Sequence, residues 1–180
     1  KGLTVEIGNT DAEGRLILAD ALADADDEAP ELLIDCATLT GAARMATGME
    51  LPPFFTDDEK LAADLARQAT DASDPVWRLP LWRGYEPVIA GAVADLTNSP
   101  SYNLAGAITA ALFLNRFVEK SKSWLHLDIP GWVDRPKPGR RLGGVVIRAG
   151  NAHGSGEGGR GGGIYNRGAP ILANLPLEDN

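Results

Sequence analysis

An α/β layered fold, with a largely parallel or mixed sheet flanked by helices, is what this sequence predicts. Three observations carry that reading. Short apolar runs suited to strands alternate with longer segments suited to helices as far as Ile129. Proline and glycine punctuate several of the boundaries, as at Pro75 and Pro130-Gly131. Hydrophobic residues make up 44% of the 180 positions, enough for the core of one domain. Strand and helix in alternation point to layers with a sheet between helices.

The elements follow in chain order. Leu3, Val5 and Ile7 alternate with polar neighbours, the two-residue period of a strand. The helix formers of residues 16–22 predict a helix from Gly14 or Arg15 to about Ala25. Residues 32–37 form an apolar run that reads as a buried strand. The single cysteine, Cys36, lies in it and reads as a buried structural thiol, with no partner for an internal disulfide. Residues 57–72 suit a polar helix, with Leu61, Leu65 and Ala69 at four-residue spacing, ended by Pro75. Residues 103–120 predict a second long helix with Ala107, Ala111, Leu114 and Val118 along one side. Residues 124–129 close the pattern as a strand stopped by Pro130-Gly131. Sites in such sheets collect at the C-terminal ends of strands. Asp11 and Thr38 each follow a predicted strand, so both can reach one edge.

Charge and hydropathy exclude some classes of function. A net charge of −8 argues against a general nucleic-acid binder. No apolar stretch reaches the length of a membrane span, and the front shows no signal-peptide pattern. A cytoplasmic location is the simplest expectation.

The densest chemistry lies in Asn9-Thr10-Asp11-Ala12-Glu13-Gly14-Arg15-Leu16. Asp11 and Glu13 stand two apart, so in an extended or turning backbone both carboxylates can face one point. Hard divalent cations want such oxygen ligands. Gly14 can adopt dihedrals closed to other residues and lets the backbone approach a ligand. Arg15 offers a planar fork suited to a carboxylate, a carbonate or a developing oxyanion. A helix N-terminus following the loop would favour an anion there. Helix capping explains the same residue types, since Asp, Glu and Gly commonly precede a helix. On residue types alone both readings stand.

As a string, Asn9 to Leu16 resembles the signature of the leucyl aminopeptidase family, the cytosol aminopeptidases of peptidase family M17. The preceding Lys1-Gly2-Leu3-Thr4-Val5-Glu6-Ile7 is similar to the strand that leads into that signature. Asp35-Cys36-Ala37-Thr38-Leu39-Thr40-Gly41-Ala42 resembles the family's second active-site segment. Gly106-Ala107-Ile108-Thr109-Ala110-Ala111 and Trp124-Leu125-His126-Leu127-Asp128-Ile129 resemble later segments, in the right order. The resemblance runs from Lys1 to about Gly144.

That resemblance implies an exopeptidase with two divalent metal ions, Mn²⁺ or Zn²⁺, acting on peptide substrates. Asp11 would bind one ion and Glu13 would bridge both. Arg15 would hold a bicarbonate, with the backbone of Ala12, Gly14 and Leu39 helping to cradle it, and the bicarbonate could act as general base. Thr38, Leu39 and Gly41 would line the place of the substrate's first residue. Pro130 and Val133 fall where the family shapes its side-chain pocket. His126 and Asp128 have no ligand role in the family and read as structural, with hydrogen-bonded partners. Trp77, Trp82, Trp124 and Trp132 read as core or subunit-contact residues, since the family implies a homo-oligomer, a hexamer.

The family's remaining ligands, a lysine and two aspartates, and its second catalytic lysine all precede the signature. Only ten residues precede Asp11 here, with Lys1 and Glu6 as their charged groups, and neither matches by position. The expectation is a fragment that cannot assemble the two-metal site alone. A non-catalytic structural or interaction module that keeps the fold is the rival reading.

The end of the chain differs from the rest. Acidic residues outnumber basic ones up to Val133, and the balance reverses from Asp134 on. More than half of the 21 glycines fall between Gly139 and Gly168. Residues 1–144 therefore read as the C-terminal part of a catalytic domain, and residues 145–180 as a glycine-rich tail. Its backbone entropy predicts no regular element. The tail reads as a disordered end or as the non-native product of a frame shift near Arg140 or Arg141, ahead of an RGG-like nucleic-acid segment.

Overall fold

In the computed structural model, residues 1–131 and the two-residue strand Gly163–Ile164 are described. The elements are β1 (Val5–Glu6), α1 (Gly14–Asp27), β2 (Leu33–Ala37), α2 (Gly41–Thr47), β3 (Pro53–Phe55), α3 (Glu59–Asp71), β4 (Trp77–Arg78), β5 (Leu96–Thr97), α4 (Gly106–Asn115), β6 (Trp124–Asp128) and β7 (Gly163–Ile164). Two 3-10 turns, Thr10–Ala12 and Arg83–Ile89, interrupt the sequence.

The main sheet is mixed, in the order β4-β3-β6-β2-β7. Its parallel centre joins β2 to β6, from Leu33 opposite Trp124 to Ala37 opposite Asp128. β3 runs antiparallel to β6 and parallel to β4, and β7 runs antiparallel to β2. β1 and β5 form a separate parallel pair.

Strand alternation sends successive side chains to opposite faces. Leu33, Phe55 and Trp124 join Leu18, Leu22, Phe113 and Leu114 in the larger core, beneath α1 and α4. Ile34, Phe54 and Leu125 join Ala62 and Leu65 of α3 on the other face. The result is helix layers on both sides of a mixed sheet, the predicted fold class.

Each helix begins or ends for a local reason. Asp58 caps α3 by accepting the Leu61 N–H at 2.9 Å, and the helix ends four residues before Pro75. Thr40 caps α2 by accepting the Ala43 N–H at 3.0 Å. The last turn of α1 carries Asp26, an unfavourable place for a negative charge against the helix dipole. Its carboxylate is fully buried and accepts Lys1 Nζ at 2.7 Å, Ser121 Oγ at 2.7 Å and the backbone N–H groups of Glu119, Lys120 and Ser121. Burial opposes ionisation, yet the Lys1 ammonium and the converging N–H groups hold the carboxyl well below the ordinary aspartate range.

Several expectations need correction. The long helix after residue 103 is shorter, Gly106–Asn115, because Ala105 takes a left-handed φ of 54° and the chain turns again at Arg116. It also has no single apolar side, since every residue from Thr109 to Leu114 is buried. Cys36 lies in a strand as expected but is half-buried. Burial, and then the neighbouring Asp35, push its thiol up to about 12, so it stays protonated. Trp124 is core, whereas Trp77 and Trp82 are 58% and 61% exposed. Gly163 enters β7, although the glycine-rich run that ends there predicts no regular element. Trp132, Val133, the frame-shift point at Arg140 or Arg141, and the rest of the predicted tail lie outside the described residues.

Candidate active site

Three segments meet at a cleft of about 380 Å³: Asn9 with residues 11–15, residues 37–41, and Gly106 at the start of α4. All eight residues singled out from the sequence line it, namely Asp11, Ala12, Glu13, Gly14, Arg15, Thr38, Leu39 and Gly41.

The first segment leaves β1 and coils through the 3-10 turn into α1. Asn9 starts the turn: its side-chain oxygen accepts the Asp11 N–H at 2.9 Å and its carbonyl the Ala12 N–H at 3.3 Å. The two-residue periodicity of an extended chain therefore does not apply here. The coil itself brings both carboxylates to the cleft. Gly14 is outside the left-handed region, and a Cβ added there would meet only Leu39 Cδ1, at 3.9 Å. Conformation does not demand this glycine, contrary to the expectation from sequence.

Helix capping does not account for the acidic pair. Glu13 stands at the N-cap of α1, but its side chain makes no capping hydrogen bond. Among the described residues neither the Asp11 nor the Glu13 carboxylate is taken up by a hydrogen bond or an ion pair, and both residues are exposed. By contrast, the two charged residues ahead of them are committed to the fold. Lys1 binds Asp26, and the Glu6 carboxylate accepts the backbone N–H groups of Val93 and Ala94.

Arg15 lies one helical residue further on, half-buried, with its guanidinium carbon 6.0 Å from the centre of the Phe113 ring. Burial lowers its pKa and the charge of Asp128 works the other way. Among the described residues no carboxylate lies within ion-pair distance of it. A half-buried cation on a cleft wall, with no described carboxylate at ion-pair distance, suits an anion.

The second segment is the loop after β2. Because β2 and β6 are parallel and in register, Ala37 and Asp128 end side by side. Asp128 Oδ1 accepts the N–H groups of Leu39 at 2.9 Å and Thr40 at 3.1 Å, and Oδ2 accepts Thr40 Oγ1 at 2.6 Å. Thr40 in turn caps α2, so one buried carboxylate shapes the whole loop. Gly131, with φ of +86°, closes over Thr38: a Cβ there would come within 2.8 Å of Thr38 Cγ2. His126 is fully buried between the rings of Phe55 and Trp124, with Nδ1 2.5 Å from Asp35 Oδ1. Trp124 Nε1 donates to the other Asp35 oxygen at 2.8 Å. Asp128 thus has the hydrogen-bonded surroundings expected of it, and His126 has them at Nδ1, while its Nε2 is buried without a partner among the described residues.

Chemically, the cleft offers two carboxylates, hard oxygen donors, and a guanidinium with no ion-pair partner among the described residues. Among the described residues no three His, Cys, Asp or Glu side chains gather closely enough to hold a metal ion. Two carboxylates leave most of a cation's coordination sphere open. One residue that supports this site escaped the sequence reading. Asn98, 1% exposed, is bonded to the loop that carries Asp11. Its partners lie 86 to 90 residues earlier, so no local pattern points to it.

Comparison with known proteins gives a consistent result. Residues 1–154 match the model of the cytosol aminopeptidase family, catalytic domain. A probable cytosol aminopeptidase of Chlorobium phaeobacteroides is 46% identical over 142 residues, which is 78% of this chain and 28% of that protein. The structure of a cytosol aminopeptidase from Coxiella burnetii superposes with a TM-score of 0.74 at 50% identity, covering 81% of this chain and 32% of that one. The bottromycin maturation enzyme BotP in complex with Mn gives a TM-score of 0.73 at 38% identity, over 79% of this chain and 32% of that one. The chain spans less than a third of the length of each of these relatives.

Proposed function

This chain belongs to the cytosol aminopeptidase family, and from that premise we propose that it is the signature-bearing part of a metal-dependent aminopeptidase that releases N-terminal residues from peptides. The observation that carries the reading is the state of three side chains. Asp11 and Glu13 are exposed residues whose carboxylates engage nothing else described, and they share a cleft with Arg15, whose guanidinium has no ion-pair partner among the described residues.

The donor set fits a hard or borderline divalent ion such as Mn²⁺ or Zn²⁺. A structural relative bound to Mn supports that fit. Two such ions, when bound, supply Lewis acidity to a water and to the scissile carbonyl. Asp11 and Glu13 would hold the ions through their carboxylates. Arg15, with the backbone of Ala12, Gly14 and Leu39, would hold a bicarbonate or an equivalent anion beside them. Thr38, Leu39 and Gly41 line the place of the N-terminal residue, in a loop kept rigid by Asp128.

This stretch is not active alone. Asp11 and Glu13 leave coordination positions open, and among the described residues nothing else completes the set. The full-length protein assembles as a homo-oligomer, a hexamer, located in the cytoplasm. The exposed apolar side chains Trp77, Trp82, Val93 and Leu104 are surface available for burial against the rest of the protein or another copy.

The test is hydrolysis of an aminoacyl amide by the full-length protein with added Mn²⁺ or Zn²⁺. Glu13→Gln is expected to abolish turnover, while Lys60→Ala, on the exposed surface of α3, leaves it intact. If the metal-supplied full-length protein hydrolyses no aminoacyl amide, the aminopeptidase reading fails and the non-catalytic module takes its place.

A further inference from the structure

We infer that Asn98 is the positioning residue of the metal-binding loop: its buried carboxamide clamps the backbone that aims Asp11 and Glu13. The inference rests on the metal-binding reading of those two carboxylates.

Asn98 directly follows β5, whose last pair with β1 is Thr97 opposite Glu6. The Asn98 N–H donates to the Glu6 carbonyl at 3.0 Å, completing the strand pairing. Beyond that point the first chain turns away and the backbone ladder stops. The Asn98 side chain continues it. Its Oδ1 accepts the N–H groups of Gly8 at 2.9 Å and Asn9 at 3.3 Å. Its Nδ2 donates to the Asn9 carbonyl at 2.7 Å and reaches the Ala12 carbonyl at 3.5 Å. Two donors on one side and two acceptors on the other fix the orientation of the amide.

The clamp passes directly to the acidic pair. The residue it grips on both its N–H and its carbonyl is Asn9. The Asn9 side chain accepts the Asp11 N–H, and its carbonyl also receives the Ala12 N–H. Gly8 also lies close against Ser99, just beyond β5, since a Cβ there would come 3.2 Å from Ser99 Cβ. Asn98, Asn9 and Asp11 therefore form one chain of hydrogen bonds from the sheet to the ligand. No other side-chain type of this size supplies both halves. Aspartate keeps the acceptor but turns a negative oxygen toward the carbonyls of Asn9 and Ala12, and leucine loses every bond.

The experiment measures Mn²⁺ affinity in the full-length protein, on folded samples well below the unfolding transition. Asn98→Asp and Asn98→Ser are expected to weaken Mn²⁺ by about 10–100-fold, the usual range for a supporting contact behind a metal ligand. A purely structural role would lower the unfolding temperature without changing the affinity of the folded protein. Asp11→Asn is the control that separates the two ideas. If Asp11→Asn loses Mn²⁺ while both Asn98 variants keep wild-type affinity, the positioning role is overturned and the metal reading stands. If Asp11→Asn itself binds normally, the metal reading falls and the inference with it. Hydrogen exchange on the wild-type protein needs no variant to fold. The Gly8 and Asn9 amides are expected to be protected, and exchange at open-loop rates would overturn the clamp.

Discussion

The two ends of α1 treat their carboxylates in opposite ways. At its C-terminal end, Asp26 is wholly buried and surrounded by an ammonium, a hydroxyl and three backbone N–H groups. At its N-terminal end, Asp11 and Glu13 are exposed, and their carboxylates engage none of the described residues. Helix electrostatics favour acids at the second place and disfavour them at the first. The fold therefore spends its hydrogen bonds where the charge is costly, and leaves the acidic pair open where the charge is already welcome. Satisfaction of a buried acid marks a role in stability; a pair of carboxylates with no described partner is what the proposed metal-binding role requires.

The largest test of that contrast is Asp26→Ala. Removing one partner of a buried, fully bonded pair is expected to cost about 3–5 kcal/mol, read from the urea midpoint. Acid titrates the same group. Its folded pKa is depressed, so its stabilisation is fully present above the unfolded pKa of about 4 and declines as pH falls below that value. Wild-type stability is expected to drop over that window, and the drop attributable to this group should vanish in Asp26→Asn. An unchanged acid limb in that variant would break the assignment.

Thr40→Val probes an intermediate case, a polar side chain at the cleft that is nevertheless committed. It removes the α2 cap and one Asp128 bond, for an expected loss of about 1–2 kcal/mol. The smallest effect belongs to the open pair. Glu13→Gln is expected to shift stability in metal-free protein by no more than about 0.5 kcal/mol, since no described contact is lost. A cost comparable with that of Asp26→Ala would erase the distinction between the two ends of the helix.

Legibility in the sequence followed the range of the interactions. α1, α3, β2 and β6 each carry a local pattern of period or composition, and the structure places them close to their predicted bounds. β1 is legible in the alternation of Leu3, Val5 and Ile7, though only Val5–Glu6 pairs, whereas β3 and β4 are two or three residues long, too short for periodicity to register. α2 is only seven residues long, and its capping Thr40 lies inside a motif whose residues suggest a site rather than a helix start. The acidic pair and Arg15 were legible because they are contiguous. Asn98 was not, because its meaning comes entirely from residues across the fold. The role of Asp128 was half legible: a bonded, structural aspartate was expected, but its grip on Leu39 and Thr40 depends on the parallel register of β2 with β6.

That register has a kinetic consequence. Pairing Leu33 with Trp124 closes a loop of 91 positions before any contact rewards it, and such long-range parallel pairing is slow to form. The acidic loop is made early in the chain, but its clamp at Asn98 and the loop wall fixed by Asp128 are made much later. The cleft is therefore expected to be among the last parts of the molecule to become native, so that the proposed metal binding would report the completion of folding.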